Sequence, residues 1–211
     1  MTALAAAAVA PVTDPIVGPG IDFAAIMPIL IMLGAACLGV LIEALFRPRR
    51  RYTGQVALTV VAIVAAFAWT VVSGIDRRFT VTLGGSVSVD QATYIMWGVV
   101  LVLALGSVLL MADRVAEPGG AFVAQAAKAS VIHARARTAT IAPMQTEVFP
   151  LALFAISGML VFPAAVDLPT LFVGLEVLSL PLYVMCGLAR QRRLLSQEAA
   201  VKYFLLGANA V

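Results

Sequence analysis

The sequence predicts an all-α membrane protein, a polytopic bundle of transmembrane helices, and three observations carry that prediction. Of its residues 62% are hydrophobic and only 12% are charged, against roughly 25% charged in soluble domains. So little polar surface cannot wrap a water-soluble globule. Apolar runs of about 17–25 residues recur along the chain, the length that crosses a ~30 Å hydrocarbon core at ~1.5 Å per residue. Finally, Lys and Arg fall on alternate connections between those runs. If successive runs cross in alternation, one side receives Arg47, Arg49, Arg50, Arg51, Arg114, Lys128, Arg135, Arg137, Arg190, Arg192 and Arg193, and the other receives Arg77 and Arg78. The positive-inside rule then puts the N-terminus outside and the three basic loops in the cytoplasm. One missed helix would scramble that asymmetry, so it supports the span count as well.

Charge and cysteine usage exclude several function classes. The pI near 9.2 does not argue for nucleic acid, because basic charge in such a chain is counted loop by loop. Cys37 and Cys186 both fall inside predicted spans and no CxxC spacing exists. His133 has no Cys or acid cluster nearby, so a metal site is not expected. There is no Gly-rich phosphate loop and no dinucleotide fingerprint.

The elements follow in chain order. Residues 1–22 are expected to be an extracytoplasmic segment; Met1–Val12 is alanine-rich without the basic residues of a secretory signal, so it reads as mature sequence. The first three helices occupy 23–111. The first span is about Phe23–Phe46, with Glu43 near its end and able to reach the headgroups, and Arg47–Arg51 stop it. The second is about Gln55–Gly74. Between it and the third, Phe79–Leu83 and Ser86–Val89 alternate apolar and polar residues around Gly84-Gly85, a small β-hairpin on the membrane surface that covers the ends of neighbouring helices. The third is about Asp90–Met111, with Tyr94 and Trp97 as interfacial anchors.

Residues 112–147 form the longest polar segment, a cytoplasmic loop without a wide hydrophobic stripe, in which His133 is solvated. Residues 148–211 then carry helices four to six. The fourth span is about Val148–Ala164 and the fifth about Pro169–Ala189, joined by a tight turn around Asp167. The sixth begins near Ser196, which with Glu198 supplies an N-cap and an acidic first turn. It is cut at Val211 after about sixteen residues, short of the ~20 that a span needs, as in a fragment of a longer chain.

Two ionisable residues lie inside these last spans. Glu176 is about seven residues into the fifth, roughly 10 Å from the outer side, and Lys202 is at a comparable depth from the inner side of the sixth. A charge at membrane depth costs from about 3 to more than 10 kcal/mol depending on method, which makes it a functional hypothesis by default. Burial disfavours the charged form of either group, while an opposite charge nearby favours it. A pair held between those effects changes its proton occupancy when a neighbouring charge moves, which is what a proton relay requires. Consecutive antiparallel helices usually pack together, so the two are expected to face one another across the bundle with a vertical offset. Direct contact is not required, since water or a lysine from a later helix could bridge the gap. Pro181 lacks an N–H and frees the carbonyl of Val177, so it is expected to break the helix and admit water, with the Ser179 hydroxyl on the same turn. The competing reading is a structural ion pair that only fixes helix packing.

The string Leu171-Phe172-Val173-Gly174-Leu175-Glu176-Val177-Leu178-Ser179-Leu180-Pro181-Leu182-Tyr183, followed by Glu198-Ala199-Ala200-Val201-Lys202-Tyr203-Phe204-Leu205-Leu206-Gly207-Ala208, resembles the antiporter-like membrane subunits of respiratory complex I. The resemblance is strong over about Val148–Val211; the first three spans agree in number and polarity. It implies the first six helices of an inverted-repeat subunit, with Glu176 and Lys202 at the family's fifth- and sixth-helix positions of a proton path. It further implies a partner lysine on a broken seventh helix and a second repeat, both beyond Val211. The family's third-to-fourth connection is usually much shorter, so 112–147 looks like an insertion.

The function implied is that of a non-redox, proton-translocating subunit of an NADH–quinone oxidoreductase in the bacterial plasma membrane. No cofactor is expected in this chain; NADH, FMN, iron–sulfur clusters and quinone would belong to partner subunits of the membrane and peripheral arms. Two other readings stay open: a subunit of a multi-subunit cation/proton antiporter, separable by whether redox partners copurify, and a structural scaffold of the membrane arm.

Overall fold

The computed structural model describes residues 20–45, 48–112, 146–188 and 193–209. The expectations for Met1–Val12, His133 and most of the 112–147 loop, and Arg190–Arg192 therefore lie outside the described residues. Six helices are present among them: α1 (Met27–Leu45), α2 (Pro48–Ile75), α3 (Gln91–Ala112), α4 (Val148–Val161), α5 (Leu168–Leu188) and α6 (Arg193–Asn209). A two-stranded hairpin, β1 (Thr80–Thr82) and β2 (Val87–Val89), lies between α2 and α3. Four helical stretches are long and apolar enough to cross a membrane: Met27–Leu45, Arg51–Ile75, Gln91–Ala112 and Leu168–Leu188. Val148–Ala164 is a shorter apolar helix, near the lower limit for a span.

Two boundaries differ from the sequence reading in ways that matter. Helix α2 starts at Pro48, so the Arg run forms its first turns and Gln55 stands inside it. Proline suits a first helical position because its missing N–H has no intrahelical partner there anyway. Helix α6 starts at Arg193, so Ser196 is a helix-interior residue and not an N-cap. In both cases the charges that mark the end of the apolar run are themselves helical, since Arg is a good helix former.

Helix α1 is central, packed between α2 and α4; α3 sits against α2 and touches α4, and α5 bridges α4 to α6. The core is built from small residues that let backbones approach, such as Ala36 and Ala66, and a few large ones, Met32, Ile63, Trp97, Leu101, Leu153 and Leu160, all at or near full burial. Outward faces are apolar as well, with Leu45, Leu103, Leu110 and Leu168 exposed. That inside-and-outside apolarity is the signature of a helix that is not solvated by water.

Trp97 and Tyr94 are not interfacial anchors. Trp97 is fully buried and its indole N–H donates to the Leu160 carbonyl at 2.6 Å. Tyr94 is buried against it edge-to-face and donates to the Arg78 carbonyl at 3.0 Å. Each ring finds an acceptor inside the bundle, so neither needs the headgroup region for its polar end.

The hairpin occupies the place the sequence predicted, tightened by a 3₁₀ turn with positive φ at Gly84 (67°) and Gly85 (98°). It ties together the helix ends around it. The Thr82 hydroxyl accepts the Asp22 N–H at 2.8 Å ahead of α1, and the Thr93 hydroxyl at the start of α3 lies 3.1 Å from the Pro163 carbonyl after α4. The Ser86 carbonyl accepts the Val166 N–H at 2.9 Å, and Val87 forms a β-bridge with Ala165. The hairpin is thus fastened to the short turn that feeds α5.

Candidate functional site

The site is positioned by an unusually close contact between α4 and α5. A Cβ on Gly158 would stand 2.5 Å from the Leu178 amide nitrogen and 2.9 Å from the Gly174 carbonyl oxygen. A Cβ on Gly174 would stand 3.0 Å from the Val161 side chain. The two backbones therefore touch, as small residues permit in apolar surroundings. Gly174, Leu178 and Pro181, at three- and four-residue spacing, form the α5 edge that faces α4. Leu180, Tyr183 and Gly187 form the next edge, which faces α6: the Tyr183 ring packs on Tyr203 and Phe204, with centroids 5.6 and 5.9 Å away.

Glu176 lies four residues before Leu180 and seven before Tyr183, hence on that second edge. It is half-buried, and among the described residues no hydrogen bond or ion pair engages its carboxyl. Lys202 is exposed on α6 and its Nζ lies 2.5 Å from Glu198 Oε1, one helical turn away. The structure does not join Glu176 to Lys202. Gly187 is level with Ala200, and Tyr183 with Phe204, which puts Lys202 level with about Met185. That is nine residues, or about 13 Å along the axis, from Glu176.

Helix α5 runs from Leu168 to Leu188 with Pro181 inside it. The expected break is therefore a single missing hydrogen bond at the Val177 carbonyl, not a separation into two helices. Pro181 is buried and lines an open cavity of about 580 Å³ between α4, α5 and α6, with Leu151, Tyr183, Ala200 and Val201 among its walls.

A second polar cluster was not read from the sequence. Glu43, expected at the headgroups, turns inward. Its carboxylate accepts from Arg51 Nη1 at 3.1 Å, Gln55 Nε2 at 3.3 Å and the Thr146 hydroxyl at 2.7 Å. Gln55 is fully buried and also donates to the Gly39 carbonyl at 2.7 Å. Its Oε1 has no hydrogen-bond partner among the described residues; it faces Gly39 beside Pro150, whose nitrogen carries no hydrogen. The available signal was Arg51 and Gln55 one turn apart, but with the span started at Gln55 they were split between loop and helix.

Outside the spans, two carboxylates cap helices. Asp90 is held below the usual carboxylate range chiefly by the Thr93 N–H, which it accepts at 2.8 Å, and by the Thr93 hydroxyl. Asp167 is lowered by the Thr170 hydroxyl, the Ser86 hydroxyl and the Thr170 N–H, the last at 2.8 Å. Among the described residues no group of three His, Cys, Asp or Glu side chains could hold a metal ion.

No protein-family model matches the chain. Individual proteins do. It is 56% identical over 196 residues to NADH-quinone oxidoreductase subunit N of Saccharopolyspora erythraea, covering 91% of this chain and 38% of that protein. It is 51% identical to the subunit N of Salinispora arenicola, covering 91% and 37%. Among solved structures, respiratory complex I from Thermus thermophilus with bound aureothin contains a similar chain, with a TM-score of 0.60 at 26% identity, covering 87% of this chain and 34% of that one. Helices, glycine contact and matches together define an all-α, multi-pass membrane protein of the respiratory complex I type. More narrowly, the chain belongs to the NADH-quinone oxidoreductase subunit N family, and it spans about 38% of the length of the relatives it matches.

Proposed function

We propose that this chain is the N-terminal part of a proton-translocating subunit in the membrane arm of an NADH-quinone oxidoreductase. Its partners are the other membrane-arm and peripheral-arm subunits. NADH oxidation and quinone reduction take place in those partners, which carry the FMN and iron–sulfur clusters, while this chain handles protons only. It sits in the bacterial plasma membrane with its N-terminus outside and its basic loops cytoplasmic.

The observation that carries the reading is Glu176, a half-buried carboxyl inside an otherwise apolar helix, on the α5 edge that faces α6. An ionisable side chain at membrane depth is costly to keep and marks a functional position by default. Glu176 is the switchable acid, and the hydrogen-bond gap at Pro181 is where water enters the helix. Lys202 acts as a relay group one step further inward, which requires its release from Glu198.

The test is Glu176→Gln in the full-length subunit within the assembled complex. NADH-driven proton pumping and turnover should both fall. Unchanged proton-to-electron coupling would remove Glu176 from the path, and a loss of assembly without loss of activity per complex would make it a scaffold residue.

A further inference from the structure

The seam between α5 and α6 holds a polar atom that the path described so far does not use, the phenolic oxygen of Tyr183. We propose that Tyr183 is a positioning residue for Glu176, its hydroxyl ordering the water through which that carboxyl exchanges its proton on the inner side. This rests on Glu176 being the proton-carrying acid.

Three observations place the hydroxyl. Tyr183 is seven residues, two turns, after Glu176 and so on the same edge of α5. Helical side chains lean toward the helix N-terminus, which carries the phenol from its own Cα toward Glu176. On the facing helix, a Cβ on Gly207 would overlap the Tyr183 oxygen; only glycine leaves room for it. In the antiparallel register Gly207 is level with about Leu180, so the hydroxyl stands about 6 Å along the axis from the level of Glu176. That gap is too long for a direct bond and suits one or two waters.

The ring is held so that this position is kept. Tyr203 and Phe204 meet it edge-on, at interplanar angles of 62° and 88°, and Pro181 lies beside it in the cavity wall. Among the described residues the hydroxyl has no hydrogen-bond partner of its own. A phenol can donate one hydrogen bond and accept another without a change of charge, so it can orient water between otherwise apolar walls.

The test is made in the assembled complex with the full-length subunit. Tyr183→Phe keeps the ring against Tyr203 and Phe204 and removes the hydroxyl alone. Proton pumping should fall about ten-fold, less than the hundred-fold or more for a group that itself transfers the proton. The solvent deuterium isotope effect on pumping should change while the amount of complex stays constant. Gly207→Ala retains the tyrosine but displaces its hydroxyl, and should give the same defect. Normal pumping and isotope effect in both variants, with Glu176→Gln defective, overturns the role of Tyr183 and leaves that of Glu176 intact. Normal behaviour in all three overturns both. A Tyr183→Phe complex that fails to assemble makes the hydroxyl a packing bond and overturns the proposal as well.

Discussion

The Thr146 hydroxyl donates to Glu43 Oε2 at 2.7 Å across 103 residues of sequence. This bond fastens the segment leading into α4 to the far end of α1. Arg51 and Gln55 bind the same carboxylate from α2, so three helices converge on one side chain at the end of the bundle that carries the basic loops.

Removing the carboxylate should cost more than removing the hydroxyl. Glu43→Ala strips a half-buried guanidinium and a buried amide of an acceptor, an expected loss of about 1–3 kcal/mol, whereas Thr146→Val removes one donor, about 1 kcal/mol. Unfolding of the purified protein in mixed detergent micelles measures both. Equal, negligible losses would mean that the cluster is too well hydrated to act as a clamp.

The α4–α5 contact makes a sharper prediction. Gly158→Ala would favour the isolated helix by about 0.5–1 kcal/mol, yet its methyl would meet backbone at 2.5 Å, which cannot swing aside. A net destabilisation of about 1–3 kcal/mol is expected from overpacking. Gly174→Ala meets the Val161 side chain at 3.0 Å, which can rotate, and should be milder. The same micelle unfolding experiment ranks the two, and the reverse order would contradict the geometry.

Acid should loosen the hairpin end of the bundle first. The carboxyls of Asp90 and Asp167 are depressed in the folded state, so the stability they contribute is present above their unfolded value, about 3.9. It is lost as pH falls through the lower folded values. Hydrogen exchange of the first turns of α3 and α5 should accelerate below about pH 4, and Asp167→Asn should flatten that dependence for α5 alone. An exchange rate for α5 independent of both pH in this range and the substitution would show that its first turn is held by other bonds.

Much of the fold was legible because membrane spans are long and composition alone separates them from their connections. The span limits of α1, α3 and α5 and the hairpin around Gly84-Gly85 fall within a few residues of expectation. Boundaries failed where charge and helix coincide, at Pro48–Arg51 and at Arg193, since hydropathy reports where lipid ends and not where hydrogen bonding ends. Burial of Trp97 was illegible for a related reason: an indole at a span end has the same sequence signature whether its N–H finds the Leu160 carbonyl or a headgroup. Of the site, the edge of α5 that carries Glu176 follows from 3.6-residue periodicity. The pairing of Lys202 with Glu198 follows from i,i+4 spacing once that stretch is read as helix. The convergence on Glu43 instead depends on side-chain direction and on a contact across 103 residues, which spacing does not encode.

The hairpin's hold on Ala165 and Val166 has a mechanical consequence. Helix α5 is built like a cantilever, clamped at its N-terminal root by the Ser86 and Val87 backbone and by the cap at Asp167, and braced at Gly174 and Leu178 by α4. At the end of that brace the beam has a notch, the unfilled carbonyl of Val177 opposite Pro181, and then a cavity on one side. Load applied at the C-terminal tip will therefore bend the beam at the notch and leave the root still. Glu176 stands on the fixed side of the notch and Tyr183 on the moving side, so flexing α5 changes the spacing between acid and hydroxyl without displacing the acid itself.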